Sequence, residues 1–307
     1  MSAATVAELP VLAPGVEIAP GYDVLAHVSR GSALDVYEVF SHAMLCSAVA
    51  KTVRPDRADV VRVRDRLLLE GRLLGSLAHP HLPRAFATFE QPVPVVVLET
   101  IVGLDLDRII AERSRRLPAA DLAHLGRHLC SALHYLHGAG YLHLDVRPAN
   151  VVADAGIATL IDLSIARPPG EVRRGYGTRE YLAPEQARGS EVTPATDVWG
   201  LGATLYSAAT GAAPFAPDGD ADTRSWRAGD YLQLTRPAAA IASHGRRLPA
   251  GLVALIGDCL SPDPAARPSV LAVHERLGDV LAEDPQELEN TAGLSPPSGP
   301  RPAHDQA

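Results

Sequence analysis

The most constraining feature of this sequence is a change of residue pattern near residue 100. Before that point, short apolar or alternating runs predict β-strands: YDVLAHV, DVYEVF, AMLCSAVAKTV, RAFATFE and VPVVVLET. After it, longer periodic segments predict helices at 119–140, 192–211, 248–260 and 268–282, with a short strand in GIATLID. Strands followed by helices predict an α+β fold, and 307 residues can bury one large core or two lobes.

One helical pattern, at residues 58–78, interrupts the strands. Its apolar positions fall on one face: Val60, Val63, Leu67, Leu74 and Leu77. Glu70 lies on that face, between Leu67 and Leu74. A carboxylate that faces a core is costly unless it is paired, so Glu70 either reaches water at the edge of the stripe or pairs with a cation. Lys51, at the end of a predicted strand, is the candidate cation.

Lys51 is also the sole lysine of the chain. Lysine and arginine together number 28, so the other 27 basic residues are arginine. The arginine- and alanine-rich usage is typical of a GC-rich genome. That usage explains why lysine is scarce, but it does not explain why position 51 retains one.

Composition excludes several classes of function. The net charge of −8 argues against nucleic-acid binding, which needs a basic face. Neither a membrane-spanning apolar run nor a basic secretory start is present, and Cys46, Cys130 and Cys259 are widely spaced. We therefore expect a cytoplasmic protein with reduced core thiols that binds neither nucleic acid nor membrane.

Two stretches carry short oxygen-bearing side chains at predicted loop positions. Asp145 and Asn150 lie in HLDVRPANV (143–151), and Asp162 ends the apolar part of LIDLSIA (160–166). Such oxygens suit Mg²⁺ bound together with nucleotide phosphates. Taken singly, a residue of this kind is more often a turn former or a helix cap.

Taken in order, these stretches resemble the eukaryotic-like (bacterial, Hanks-type) serine/threonine protein kinase family. A glycine-loop region precedes VAK, a helical glutamate, an H-x-D-x-x-x-x-N loop and a D-x-x metal motif. Long matches follow in GTREYLAPEQ (177–186) and DVWGLG (197–202), and PDPAARPS (262–269) matches a late motif whose Arg267 would pair with Glu185. The resemblance covers about residues 20–280.

The resemblance implies a bilobal kinase domain at residues 21–283. A β-rich N-lobe with one main helix would occupy about 21–101, and a mostly helical C-lobe about 104–283. The flanks are predicted to be a flexible lead at 1–20 and a disordered, proline-rich tail at 284–307.

The resemblance also implies roles for individual residues, with ATP and Mg²⁺ as cofactors. Lys51 would hold the α- and β-phosphates and pair with Glu70, Asp145 would accept the proton of a protein Ser/Thr hydroxyl, and Arg147 would lie near the γ-phosphate. Asn150 and Asp162 would bind Mg²⁺. The remaining nucleotide contacts would come from Gly31, Val36, Val49, Glu99, Ile101, Asp105 and Val152, with Leu98 as gatekeeper. Asp197 would brace the catalytic loop, and Thr178 would lie near Asp145.

Several positions depart from the family pattern. In the glycine loop, SRGSALDV (29–36), only Gly31 of the expected glycines survives, and a non-glycine residue forced into a left-handed conformation costs about 1–2 kcal/mol. Arg147 replaces the usual lysine, and Ser164 replaces the glycine of the metal motif. Leu144 replaces the arginine that grips an activation-loop phosphate, and the activation loop (residues 165–177) contains neither serine nor threonine.

These observations predict an ATP-dependent serine/threonine protein kinase that is not switched by Ser/Thr phosphorylation of its activation loop. The degraded glycine loop keeps a pseudokinase, acting as a scaffold or switch, as the alternative. A small-molecule phosphotransferase is a third hypothesis, which APE and DVWGLG oppose. Gly71 and Gly75 predict that the Glu70 helix moves easily. The arginines of this helix either contact a regulatory partner or form a solvated charged face. They are Arg62, Arg64, Arg66 and Arg72.

Overall fold

A computed structural model describes residues 10–57, 60–112, 116–216 and 230–283 of the chain. Residues 1–9 of the predicted lead and the predicted tail at 284–307 lie outside the described residues. The predicted disorder of that tail stays a prediction.

A six-stranded sheet forms the first lobe, in the order β1-β2-β3-β4-β6-β5. The strands are β1 (Glu17–Ala19), β2 (Tyr22–Arg30), β3 (Leu34–Ser41), β4 (Cys46–Val53), β5 (Ala85–Phe89) and β6 (Val95–Leu98). β6 is buried along its whole length because β4 and β5 flank it and a helix covers one face. The predicted strands are therefore present. Cys46, in contrast to the expected core thiol, is exposed.

β1 lies inside the segment predicted to be a loose lead. Glu17 and Ala19 pair with Asp23 and Tyr22 of β2. Ahead of β1, the backbone N–H of Leu12 donates to the Tyr37 hydroxyl at 3.1 Å. This three-residue strand is fixed by its partners rather than by its own pattern, so local sequence does not reveal it.

Helix α1 (Val61–Ser76) packs on the sheet and carries Glu70 on its buried face. An added Cβ at Gly71 would lie 2.4 Å from Thr88 Oγ1 and 2.8 Å from Val96 Cγ2, so this glycine permits close contact with β5 and β6. Gly71 therefore sets a tight helix–sheet contact, which is a different role from the mobility predicted for it. Gly75, by contrast, faces open space.

Helices and short strands build the second lobe. They are β7 (Leu104–Asp105), α2 (Leu106–Glu112), α3 (Ala119–Gly138), β8 (Val151–Asp154), β9 (Ile157–Leu160), β10 (Gly170–Glu171), α4 (Pro184–Arg188), β11 (Glu191–Val192), α5 (Pro194–Thr210), α6 (Ala250–Cys259) and α7 (Val270–Glu283). α5 is almost entirely buried among α2, α3, α6 and α7. Arg267 and Glu185 form the expected pair through two hydrogen bonds of 2.7 and 2.9 Å. Among the described residues, no helix combines the length and apolar character that a membrane crossing requires.

The loop between α1 and β5 is tied to the second lobe through two histidines. His81 Nδ1 is 2.8 Å from Ala158 O, and the Ala158 N–H donates to His128 Nδ1 at 3.3 Å. The two imidazole rings stack with centroids 4.2 Å apart. Strand β9 and helix α3 are thereby fixed against the first lobe, and the cleft lies between the two lobes.

Candidate active site

Lys51 and Glu70 meet in the cleft between β4 and α1. Lys51 Nζ lies 2.7 Å from Glu70 Oε1 and 3.7 Å from Asp162 Oδ1. Glu70 is fully buried, and its Oε1 also accepts the backbone N–H of Leu163 at 3.2 Å. The carboxylate on the apolar stripe is thus paired, and it links α1 to the segment that follows β9.

Electrostatics keep Lys51 and Asp162 charged. Burial opposes the charged amine, but the Asp162 and Glu70 carboxylates outweigh burial and raise the pKa of Lys51. Burial likewise opposes ionisation of Asp162, yet Lys51 and the Ser164 hydrogen bonds lower the pKa of Asp162 to about 2. Burial raises the pKa of Glu70 against the pull of Lys51. Lys51 and Asp162 are therefore charged at neutral pH.

Asp162 holds its position through an unusual backbone conformation. Its φ is 71°, in the left-handed region that non-glycine residues seldom adopt. The Ser164 N–H donates to Asp162 Oδ1 at 3.1 Å, and this local hydrogen bond stabilises the turn. Ser164, which replaces the expected glycine, does not have a positive φ, so its position does not need the conformational freedom of glycine.

The catalytic loop (residues 143–150) is anchored by Asp197 at the start of α5. Asp197 accepts the backbone N–H groups of His143 at 2.8 Å and Leu144 at 2.7 Å. His137 Nε2 lies 2.7 Å from the same carboxylate. Leu144 has a φ of 65°, so these buried hydrogen bonds hold a strained residue directly before Asp145.

Three neighbours position the Asp145 carboxylate. Its Oδ1 accepts the Thr178 N–H at 3.1 Å, and its Oδ2 accepts Asn150 Nδ2 at 3.0 Å. Arg147 Nε lies 3.4 Å from Oδ2. Asn150 Nδ2 also donates to the Asp145 carbonyl at 2.9 Å, so the amide oxygen of Asn150 is the atom left for a ligand.

The valines predicted to contact adenine lie on strands of both lobes. Val36 is opposite Lys51 in the β3–β4 register, Val49 is opposite Leu98, and Val152 of β8 pairs with Asp105. All three valines are partly buried, so each retains some exposed apolar surface. Asp105 Oδ1 already accepts the Arg108 N–H at 2.9 Å, so it caps α2 in addition to any contact with a ribose.

The connection between the lobes contains backbone groups that bond within the chain and others that have no backbone partner in the described residues. The Glu99 N–H donates a hydrogen bond to Arg84 O at 2.8 Å. Within the described residues, the Glu99 carbonyl and the Ile101 N–H have no backbone partner. The family resemblance implies that the backbone of Glu99 and Ile101 binds adenine, and this stays a prediction.

The loop at 29–36 is a regular tight hairpin. Arg30 pairs with Asp35, and the Gly31 N–H donates to Leu34 O at 2.9 Å. None of residues 29–36 has a positive φ. The expected left-handed strain from the lost glycines is therefore absent, because the hairpin closes without needing that conformation.

An apolar cluster takes the place of the usual arginine contact at Leu144. Leu144 is buried with Leu142, Val172 and Val192, and Ile165 and Tyr176 pack against them. β10 of the activation loop pairs with β11, and Gln186 Nε2 donates to Leu144 O at 2.9 Å and to Tyr176 O at 2.7 Å. The activation loop is thus held by packing and by backbone contacts.

Several supporting residues of the site were not predicted from the motifs. His143 is fully buried, accepts the Asp145 N–H at 3.2 Å and lies 3.2 Å from Ile161 O. Its position in H-x-D was a usable signal. His137 gave no local signal, and Arg66 was predicted only as part of the arginine face of α1, because their partners Asp197 and Tyr176 are distant in sequence.

The fold and the cleft together define a bilobal protein kinase, which confirms the predicted fold class. The family model described as "Protein kinase domain" matches residues 22–277. The chain belongs to the protein kinase family. This finding also confirms the resemblance drawn from the motifs.

Relatives with descriptive names agree with this assignment. A probable serine/threonine-protein kinase of Corynebacterium efficiens is 33% identical over 212 residues, which cover 64% of this chain and 32% of the relative. The serine/threonine-protein kinase pkn3 of Myxococcus xanthus is 29% identical over 272 residues, covering 83% of this chain and 49% of that protein. The chain thus spans between about a third and about a half of these two relatives.

A solved structure shows the same fold. The kinase domain of Mycobacterium tuberculosis PknI superposes with a TM-score of 0.68 at 25% identity, over 88% of this chain and 100% of that chain. All of the described cleft residues fall within the family match at 22–277.

Proposed function

We propose that this protein is an ATP-dependent protein kinase that transfers the γ-phosphate of ATP to Ser/Thr hydroxyls of protein substrates. The observation that carries the proposal is the convergence of Lys51 on Glu70 and Asp162, at 2.7 and 3.7 Å. In this arrangement α1 is docked against the cleft, which kinase chemistry requires. The bacterial relatives that are named as serine/threonine kinases support the same conclusion.

The cleft residues fit a nucleotide with its metal ion. The described residues contain no group of three or more His, Cys, Asp or Glu side chains that could form a metal cage. Proteins commonly hold Mg²⁺ through one or two carboxylates plus substrate phosphates, and the cleft offers one carboxylate and one amide oxygen for this purpose. Asp162, ionised at neutral pH, and the amide oxygen of Asn150 would hold the ion. When bound, Mg²⁺ neutralises charge on the phosphates.

The chain's own groups account for binding and proton transfer. Lys51 Nζ would bind the α- and β-phosphates while Glu70 keeps it oriented. Asp145, held by Thr178 and Asn150, would accept the proton of the substrate hydroxyl, an effect worth roughly 10²–10⁴-fold in rate. Arg147 would place positive charge beside the γ-phosphate. Adenine would lie between Val36, Val49 and Val152, with its edge on the backbone of Glu99 and Ile101.

The degraded glycine loop is the observation that favours the second candidate, a pseudokinase scaffold. The missing glycines are a weak argument for a scaffold, because none of residues 29–36 has a left-handed backbone conformation. The retained Lys51, Glu70, Asp145, Asn150 and Asp162 support transfer. We therefore place the enzyme ahead of the scaffold.

The decisive experiment is transfer of labelled phosphate from ATP with Mg²⁺ to the protein itself and to a panel of generic protein substrates. Asp145→Asn is the matched control, because it preserves shape while removing the base. We expect transfer by the wild type at least 100-fold above that variant, within the range for loss of a positioned base (about 10²–10⁴). Equal signals across the panel would favour the scaffold.

Partners follow from the same proposal. The substrates would be proteins with an accessible Ser or Thr, and a regulatory partner would bind α1. Arg64 is already engaged with Glu90 O at 2.9 Å, and Arg66 faces Tyr176. Arg62 and Arg72 are exposed and would form the contact face on α1. The cytoplasmic location and the lack of nucleic-acid and membrane binding stay predictions.

A further inference from the structure

Two ionic clusters hold the hairpin at 29–36, one at its base and one at its tip. In the first, Arg30 Nε and Nη2 bind the Asp35 carboxylate at 2.7 and 3.0 Å, and His27 Nε2 lies 3.3 Å from it. The Asp35 side chain is only 1% exposed. Burial would raise the pKa of Asp35, but the hydrogen bonds from Arg30 and His27 hold it below its ordinary value. This cluster closes the base of the hairpin.

The second cluster reaches the tip of the hairpin and is centred on Arg54. The Arg54 N–H donates to Ala33 O at 3.0 Å, and Arg54 Nη1 donates to Gly31 O at 2.9 Å. The same guanidinium binds Asp56 through Nε and Nη2 at 2.9 and 3.0 Å. One residue therefore bonds to both ends of the Gly31–Ala33 tip, while Asp56 fixes its side chain.

The position of Arg54 connects the tip to the nucleotide cleft. Arg54 follows β4 directly, three residues after Lys51, and Val36 at the end of the loop is opposite Lys51. In the family a glycine-rich loop covers the phosphates. In this chain two of the three expected glycines are missing, so the loop backbone has less freedom to adjust to the phosphates. We therefore expect the backbone to be ordered before the nucleotide binds.

We propose that Arg54 is a positioning residue that holds the tip of the 29–36 hairpin in place over the nucleotide phosphates. The proposal rests on the proposed function for its ligand. A tip that is ordered before binding loses less conformational freedom when the nucleotide binds, which favours affinity. Arg54 contacts the loop and not the reacting atoms, so it affects affinity for phosphates more than for adenine.

The test compares direct binding of MgATP and of adenosine by calorimetry. We expect Arg54→Ala to weaken MgATP binding about tenfold, the size of one lost charge-assisted hydrogen bond, and to leave adenosine binding unchanged. Arg57→Ala is the matched control, because Arg57 lies 3.7 Å from the same Asp56 and is not bonded to the loop in the described structure. Arg54→Gln is a second, milder variant in case the alanine variant does not fold.

Hydrogen exchange of the 29–36 segment in the nucleotide-free protein gives a readout that a general loss of stability would not give. Faster exchange there alone in the Arg54 variants supports the proposal. Unchanged MgATP binding, or equal losses for MgATP and adenosine, would overturn it. Because binding is measured without transfer, a wild type that binds MgATP but transfers no phosphate refutes the proposed function and leaves this comparison intact. A wild type that binds neither ligand refutes both.

Discussion

The guanidinium carbon of Arg66 lies 5.4 Å from the ring centroid of Tyr176. Arg66 belongs to α1, the helix of Glu70, and Tyr176 belongs to the activation loop. The Tyr176 hydroxyl donates to Ile165 O at 3.3 Å, and Arg173 lies 5.8 Å from the same ring. A cation–aromatic contact therefore joins α1 to the activation loop, where many kinases use a phosphate.

We expect activity to be independent of Ser/Thr phosphorylation in the activation loop. Packing around Leu144, together with the Arg66–Tyr176 contact, already holds that loop. Treatment with a broad-specificity phosphatase should leave the rate of phosphate transfer within about twofold of the rate of the untreated protein, because no charge-assisted bond is lost. Mass spectrometry after incubation with ATP, with Asp145→Asn as the control, locates any phosphate. An activating phosphate at 165–177 would contradict this prediction.

Replacing Lys51 by arginine should lower kcat/KM for ATP by about 100-fold or more, in line with the loss of one positioned donor. The compact ammonium fits between Glu70 and Asp162, whereas a planar guanidinium is wider and differently hydrated. Steady-state kinetics at varied ATP measures the effect. Arg62→Lys, an exposed change on α1, is the control and should have wild-type kinetics. Near-normal activity of Lys51→Arg would show that the site does not depend on the ammonium.

Two glycines of α1 should respond to alanine in opposite ways. Gly71→Ala places a methyl group against Thr88 and Val96, and overpacking of this kind destabilises by about 1–3 kcal/mol. Gly75→Ala faces open space and should stabilise by up to about 1 kcal/mol through helix propensity. Urea unfolding gives both free energies. Similar effects at the two positions would mean that α1 is not closely packed at Gly71.

Removing Arg267 should be far more damaging than removing a surface arginine. Arg267 makes a buried bidentate pair with Glu185 and lies 5.0 Å from the Trp199 ring, so Arg267→Ala should cost about 3–5 kcal/mol. Arg276→Ala breaks an exposed pair with Asp258 and should cost about 0–1 kcal/mol. Chemical denaturation compares the two. A cost for Arg267→Ala as small as that for Arg276→Ala would argue against the buried pair.

Stability should fall in mild acid because of His128. Burial, with His81 and other nearby cations, lowers the pKa of His128 from 6.5 to about 4. Between those values the unfolded chain binds a proton that the folded chain excludes, so stability is full above pH 6.5 and decreases as the pH falls towards 4. Unfolding at pH 7.5 and pH 5 measures the difference. His128→Gln should reduce the difference in unfolding free energy between the two pH values. If this variant shows the same pH dependence as the wild type, other groups cause that dependence.

The sequence predicts those features that have a local pattern or a family motif. The stripe around Glu70, the long helices and the order of the cleft residues belong to this group. Other features depend on partners that are distant in sequence. β1, β10 and β11 are too short to show a pattern, and only the packed structure shows that Gly71 contacts Thr88. The hairpin clusters of Asp35 and Arg54 are hidden for the same reason, because charged residues beside a turn also suit plain solvent exposure.

The single lysine also limits the chain to one side-chain amine. Lys51 carries its only side-chain amine, 12% exposed and held protonated by Glu70 and Asp162. Acylating reagents attack neutral, accessible amines, so they find one slow side-chain target, which lies inside the cleft. An acyl group at that position would mark the cleft alone. The extent of labelling would then report whether the cleft is covered, without any change to the sequence.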